Sequence, residues 1–325
     1  MRAVWYERQG AARDVLIYGE LPDPMPGPGE VLVEVRASGV NPSDVKLRAG
    51  SRPMGFPRVV PHSDGAGEIV AVGDGIPQTR IGERVWIWNG QWQRSMGTAA
   101  ERIALPAFQA VPLPAGVSFA EGACLGIPAV TATYCVFSDG PVAGQRVLVT
   151  GGAGSVARYA IEMAASDGAE VIATVSGPEK AAIAHAAGAH HVVDRRDPAL
   201  ADRILALTGN HGVNRIIECE FGENLPVSER VIAVGGTIAA YGSVQVPEPK
   251  MPFLRFMFRH VTLRMPLIYL LSAKDRQAVN DKVTRLLEMG LLSHRIAAAY
   301  PLASTTDAHE LVEGGRRIGA TIVTP

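Results

Sequence analysis

The spacing of apolar positions along the chain changes character at about residue 120 and again near residue 267. In the first stretch apolar residues come in short runs. Val31 to Ala37 alternates inside and outside, Gly67 to Gly73 is a short apolar run between glycines, and Ile81 to Trp88 and Ala99 to Pro106 follow. Prolines at 22, 24, 26, 28, 53, 57 and 61 mark turns and edges. No long helical period is present, so a barrel-like antiparallel fold is expected there. From 122 to 266 apolar runs at 146–150, 171–175, 191–193, 214–218 and 231–241 are separated by alanine-rich helical stretches. That alternation predicts a parallel, doubly wound sheet of the Rossmann kind. An amphipathic helix beginning at Lys274 and stopped by Gly290 comes next, and the chain ends on a strand from Ile318 to Val323. The expected class is α/β. Residues 1–121 and 267–325 make a β-rich domain, residues 122–266 make the dinucleotide-binding domain, and a cleft lies between them.

The richest stretch in chemistry is Arg146 to Ala165. A β-branched run stops at Gly151-Gly-Ala-Gly154-Ser-Val-Ala157, and a helical pattern starts at once, with Val156, Ala160, Ile161 and Ala164 on one face. A strand that turns into a helix through glycines offers several backbone N–H groups at the positive end of the helix dipole, where a pyrophosphate binds. Gly151, Gly154, Ser155 and Val156 are the positions expected to hold it. The spacing is G-x-x-G-x-x-A rather than G-x-G-x-x-G, so the flanking strand and helix carry the reading. The next run, Glu170 to Ser176, ends on a serine where an Asp or Glu often holds the ribose 2′-hydroxyl. Lys180 lies four residues on, and Arg195 and Arg196 follow the third run. A carboxylate repels a 2′-phosphate whereas a hydroxyl and cations accept it, so Ser176, Lys180 and Arg195 predict NADPH as the cofactor.

Composition narrows the partners. The chain has 325 residues, 47% hydrophobic and 19% charged, with a net charge of -1, which argues against nucleic acid or an anionic membrane surface. No apolar run approaches the ~20 residues needed to cross a bilayer. The beginning, Met-Arg-Ala-Val-Trp-Tyr, reads as a strand without a signal-peptide pattern. Cys124, Cys135 and Cys219 make neither a disulfide framework nor a metal cage. They read as buried thiols, and the protein as cytoplasmic.

A second set of motifs carries a resemblance. Val35 to Gly50, Pro61-His-Ser-Asp-Gly-Ala-Gly67, Ile81-Gly-Glu-Arg-Val85, Gly97-Thr-Ala-Ala-Glu101, the glycine turn and the tail Gly319-Ala-Thr-Ile-Val resemble the medium-chain dehydrogenase/reductase superfamily. The chain is most similar to its zinc-free quinone oxidoreductase (zeta-crystallin-like) branch. The resemblance implies a GroES-like catalytic domain beside the Rossmann domain, and a homodimer joined along the sheet edge at Val261 to Met265. It also implies that Asn41 and Asp44 belong to the site block, with Thr131 on the cofactor side of the domain junction. Tyr241-Gly242-Ser243 ends the fifth strand, where the nicotinamide would lie. Two departures stand out. Lys46 and Arg52 occupy positions where the family often carries tyrosines, and Arg195 replaces a third-strand tyrosine. Lys46 is expected beside Asn41 and Asp44, stabilising negative charge on a carbonyl oxygen as hydride arrives.

The alcohol dehydrogenases of the superfamily carry a catalytic Cys where this chain has Asn41, and a His-Glu pair where it has Ser63-Asp64. Zinc needs three protein ligands around an open position, and an amide and a hydroxyl are poor substitutes for a thiolate and an imidazole. No metal is therefore expected, and His62 reads as a turn histidine. The expected activity is hydride transfer from NADPH to a quinone or related conjugated carbonyl. The alternatives are a 2-alkenal or enoyl reductase, a non-catalytic NADPH-binding protein and, more remotely, a zinc-dependent alcohol dehydrogenase.

Overall fold

An eleven-residue strand, β3 (Glu30–Val40), organises the sheet of the N-terminal region, with Val31, Val33 and Val35 all turned to the core. The computed structural model describes residues 1–325, which divide into two units, Met1–Pro128 with His294–Pro325 and Ala129–Ser293. In the first unit β1 (Arg2–Trp5) and β2 (Ile17–Glu20) pair antiparallel around the single turn α1 (Ala12–Val15). After β3 come α2 (Pro42–Ala49), β4 (Asp64–Val72), β5 (Arg84–Ile87), β6 (Arg102–Pro106), β7 (Ala110–Pro112) and α3 (Phe119–Gly122). The unit boundary falls inside α4 (Gly126–Phe137).

The second unit alternates strand and helix as its apolar runs predict. Its elements are β8 (Arg146–Val149), α5 (Ser155–Ser166), β9 (Glu170–Val175), α6 (Pro178–Ala186), β10 (His191–Asp194), α7 (Leu200–Leu207), β11 (Val213–Glu218), α8 (Phe221–Val231), β12 (Ile232–Ala240), α9 (Phe253–Phe258), β13 (Thr262–Arg264) and α10 (Ala273–Glu288). All six strands are parallel, in the order β10-β9-β8-β11-β12-β13. Sequence order reverses between β8 and β11, and in open α/β sheets ligands bind beyond the strand ends at that reversal. The chain then returns to the first unit as β14 (Ile296–Pro301), α11 (Thr305–Glu313) and β15 (Ala320–Thr324). The first unit's main sheet is ordered β14-β15-β3-β4-β5-β7, with β6 on β3.

Each unit has its own core. Val31, Val33, Val35, Ile69, Val85, Ile87, Ile103 and Leu105 fill the first, and Leu148, Ile172, Ile204, Ile216 and Ile238 belong to the second. Burying one such side chain contributes about 1.5–3 kcal/mol, which is why the β-branched runs decide the strand positions. β3 and β4 press so closely that a Cβ on Gly67 would lie 2.0 Å from the Glu34 carbonyl oxygen. No helix is long and apolar enough to cross a membrane.

The fold departs from the sequence expectation in two places. Residues 42–49 form a helix, which starts on Pro42 and ends on Gly50 at φ 106. The return to the first unit comes at His294 rather than at 267. The helix α10 stays with the second unit, where Lys282 pairs with Asp167 at 3.3 Å and sits over the Phe137 ring. The Ser293 N–H donates to Glu162 there at 3.2 Å.

Candidate functional site

In the second unit the turn from β8 to α5 separates two kinds of glycine. Gly151 takes φ 66, and a Cβ there would meet the Cys219 sulfur at 2.9 Å, so the protein's own packing fixes it. Gly154 is the N-cap of α5, at φ -72 and ψ 157, a conformation open to any residue. A Cβ on it would meet only the Gly151 carbonyl oxygen, at 3.3 Å. No side chain caps α5, so the N–H groups of its first turn, Ser155 and Val156 among them, point outward at the positive helix end. A pyrophosphate fits this cradle, and a side chain on Gly154 would intrude on it.

Ser176 stands just past β9 with no acid at that position, and Lys180 donates to its hydroxyl at 3.1 Å. Arg195 follows β10, half exposed, with a Glu223 oxygen 3.9 Å away. A cavity of about 250 Å³ opens at these strand ends, lined in part by Thr150, Gly151, Thr174, Arg195, Glu220 and Glu223. Thr131 is buried on α4. Tyr241, Gly242 and Ser243 follow β12 directly and are pinned from both sides. The Gly242 carbonyl accepts the Phe221 N–H at 2.8 Å, and Ser243 Oγ accepts the Gly222 N–H at 3.0 Å. A Cβ on Gly242 would lie 2.5 Å from the Cys219 carbonyl oxygen.

Sequence reasoning missed the residue that ties these strand ends together. Glu218, fully buried at the end of β11, accepts from Thr150 Oγ1 at 2.8 Å, the Glu220 N–H at 2.7 Å and Asn224 Nδ2 at 2.8 Å. Burial raises its pKa against those donors. The sequence signal was available: an acid directly after the apolar pair Ile216-Ile217 at the end of a strand needs partners.

The candidate chemistry in the first unit gathers around α2. Asn41, its N-cap, donates its backbone N–H to Asp44 Oδ2 at 2.8 Å and its amide Nδ2 to Asp64 Oδ2 at 2.7 Å. Asp64, the first residue of β4, also accepts the Ile127 N–H on both oxygens, at 2.8 and 2.9 Å. Gly126 makes room for this, since a Cβ there would lie 2.0 Å from Asp64 Oδ1. Burial lifts the Asp44 pKa to about 7, against hydrogen bonds from Asn41 and Ser63 and the nearby charge of Arg52. Burial and the neighbouring Asp44 raise Asp64 well above the usual carboxylate range. Lys46 is not beside these groups. Asp44, Val45 and Arg48 lie on the buried face of α2, while Lys46 shares the opposite, exposed face with Pro42 and Ala49. Two positions along a helix is a rotation of about 200°, which a turn would not have imposed.

His62 is more than a turn histidine. It takes a left-handed φ of 77 and is fully buried. Its Nδ1 lies 2.9 Å from Ser38 Oγ, and its Nε2 lies 2.9 Å from His309 Nε2 on α11. Ser38 in turn meets Thr98 Oγ1 at 2.7 Å, and Thr98 donates to the Asp64 carbonyl at 2.6 Å. Burial lowers His62 to about 3 and, with the charges of His62 and Arg48, holds His309 well below the usual range. Nowhere do three or more His, Cys, Asp or Glu side chains come together as a metal would require.

Two family models match this chain. The alcohol dehydrogenase GroES-like domain matches residues 27–115 and the zinc-binding dehydrogenase model matches residues 155–285. The chain is 28% identical to the quinone oxidoreductase of Rattus norvegicus, over 99% of this chain and 97% of the relative. It is 29% identical to that of Pseudomonas aeruginosa, over 96% of both. Among solved structures, a mycobacterial quinone oxidoreductase superposes at a TM-score of 0.90, with 29% identity and full coverage of both chains. A mycobacterial protein complexed with NADPH superposes at 0.88, with 28% identity and full coverage of both. A 2-haloacrylate reductase superposes at 0.87, with 25% identity, over 100% of this chain and 99% of that one.

Two outcomes follow from this geometry. Gly154→Val keeps its thermal midpoint but loses NADPH binding in a calorimetric titration, whereas Gly151→Ala loses about 1–2 kcal/mol of stability from the left-handed position. Retained NADPH affinity in Gly154→Val would place the phosphates elsewhere. The second outcome concerns the buried imidazoles. The unfolded chain binds their protons below 6.5 and the folded chain holds His62 neutral down to about 3, so their contribution to stability is lost as pH falls through that window. Urea unfolding between pH 7 and pH 4 should therefore show a shallower decline for His62→Asn combined with His309→Gln than for the parent. Equal slopes would refute it.

Proposed function

We propose, because the chain belongs to the medium-chain dehydrogenase/reductase superfamily and within it to the quinone oxidoreductase branch, that it is an NADPH-dependent reductase of quinones or related conjugated carbonyls that works without zinc. The carrying observation is the donor set in the first unit. Where a zinc enzyme needs a thiolate and an imidazole there are an amide and a hydroxyl, and the Asn41 amide is already committed to a buried carboxylate. Such a site suits an acceptor that is electrophilic before it binds. The balanced reaction is quinone plus NADPH plus a proton giving hydroquinone and NADP+. The bound nicotinamide would supply the hydride.

The chain's own residues do the rest by holding and orienting. The first turn of α5 receives the pyrophosphate, and Ser176, Lys180 and Arg195 receive the 2′-phosphate, with Glu223 opposing Arg195 weakly across 3.9 Å. Thr131 and the Tyr241 to Ser243 segment line the nicotinamide end. Asn41, fixed by Asp44 and Asp64, presents its remaining amide groups to the acceptor. The reading gives Lys46 no part, since it lies on the other face of α2. A C=C bond conjugated to a carbonyl suits the same donor set, and the 2-haloacrylate reductase among the structural relatives favours keeping that reaction in view. The three free thiols support a cytoplasmic setting.

The second unit also carries a surface for a second copy. The edge strand β13 is paired on one side only, and Phe253, Leu254, Met257, Phe258 and Met265 are exposed close to it in sequence. Such an edge invites pairing across a two-fold axis. Light scattering at working concentration should give a homodimer; a monomer overturns this assignment.

The activity itself is tested by NADPH consumption against a panel of quinones, enals and enoates. Reduction of none of them, with NADPH still bound, would leave a non-catalytic nucleotide-binding protein. NADPH should bind more tightly than NADH by about 1–3 kcal/mol, the usual worth of charge-assisted hydrogen bonds. Lys180→Ala should remove most of that difference by weakening NADPH alone. Equal affinities for the two nucleotides in the parent protein would overturn the cofactor assignment.

A further inference from the structure

Arg52 is one of two cations in this chain that replace aromatic residues near α2, and its setting differs from that of Lys46. Its guanidinium carbon lies 5.0 Å from the centre of the Trp92 ring, in the stacked range for a cation on an indole. Its side chain is exposed and forms no salt bridge. Its backbone is nevertheless held in place. Gln9 Nε2 donates to the Arg52 carbonyl at 2.6 Å and to the Leu47 carbonyl at 2.7 Å, which ties the segment after α2 back to the helix.

Three further observations describe the surroundings of Arg52 near α2. Its charge lowers the pKa of Asp44, and it acts in the same sense on the Tyr6 phenol, so it stands close to both. Asp44 in turn accepts the Asn41 N–H at 2.8 Å at the start of α2, and Arg52 follows the end of the same helix. The other basic group on that helix's buried face, Arg48, is already engaged, with the Gly10 carbonyl and the Glu313 carboxylate. Arg52 is left as an exposed cation just past α2 that forms no salt bridge.

We infer that the stacked Arg52–Trp92 pair is a specificity-determining subsite that takes a carboxylate or comparable anionic group on the conjugated acceptor. The Trp92 ring lies on one side of the guanidinium, and the exposed side chain keeps N–H groups in contact with solvent. A guanidinium fork matches a carboxylate bidentately. The half-buried indole beside it offers an apolar wall to a planar conjugated body. A neutral quinone would meet the wall and leave the fork unused. An acceptor bearing a carboxylate uses both.

The inference rests on the reductase reading above, and the experiment separates the two. The probes are a naphthoquinone bearing a carboxymethyl group and its methyl ester, which differ in charge and hardly in shape. With saturating NADPH, the acid should be used with a kcat/KM at least ten-fold above that of the ester. Arg52→Met should lower the value for the acid ten-fold or more, chiefly through KM, and leave the ester within two-fold. Because Arg52 is exposed, its thermal midpoint should not move. Arg52→Lys should fall between, having the charge without the fork. Quenching of tryptophan fluorescence by the acid gives the same ranking by binding alone, with no turnover involved. Equal use of acid and ester, or an Arg52→Met effect shared equally by both, overturns the subsite and leaves the reductase reading intact. Reduction of neither probe, nor of any quinone or enone, overturns both.

Discussion

A carboxylate removed from water has to be matched by donors, and Asp64 is the group whose matching shapes the first unit. Four hydrogen bonds reach that residue: one from the Asn41 amide, two from the Ile127 N–H, and one from Thr98 to its backbone carbonyl. Each constrains a different segment. The Asn41 bond fixes the start of α2, the Ile127 bonds fix the start of α4, and Thr98 fixes the turn before β6. The constraint is steric as well as electrostatic. A Cβ on Gly126 would overlap the carboxylate, and a Cβ on Gly39 would lie 2.2 Å from the Ala123 carbonyl oxygen. An unpartnered buried charge costs several kcal/mol, so any rearrangement of these segments has to keep Asp64 supplied.

The second unit solves the same problem with Glu218. It joins Thr150, at the end of β8, to the start of α8, and so closes the strand ends on either side of the order reversal. In both units an acid at a strand terminus holds a loop or helix start. Asp64 fixes where Asn41 stands, and Glu218 ties Thr150, just before the glycine turn, to the start of α8.

Much of this was legible in the sequence because it rests on local signals. The strands β8 to β12 follow from β-branched runs, and α10 from its amphipathic period and terminal glycine. The cradle at Gly154 follows from small residues between a strand and a helix. The residues that escaped are those whose partners lie far along the chain. His309 is 247 residues from His62, and Glu223 lies on α8, well past Arg195. Lys46 was misplaced for a local reason. A proline after asparagine suits a turn, yet proline is equally at home in the first turn of a helix, and the helix is what residues 42–49 form. Once the segment is helical, the side chain two positions from Asp44 has to face the other way.

The buried ionisable groups of the first unit pull in opposite directions with pH, and the opposition bears on the site. His62 and His309 are held neutral, which favours the folded chain as pH rises through the range where free imidazole titrates. Asp44 is held protonated up to about 7, which favours the folded chain at lower pH and is lost as pH rises from the ordinary carboxylate range through 7. Between the ordinary carboxylate range and neutrality the two demands therefore trade against each other. Ionised, Asp44 accepts more strongly from the Asn41 backbone N–H; protonated, it accepts more weakly. The state of one buried acid thus sets how firmly the start of α2 is held.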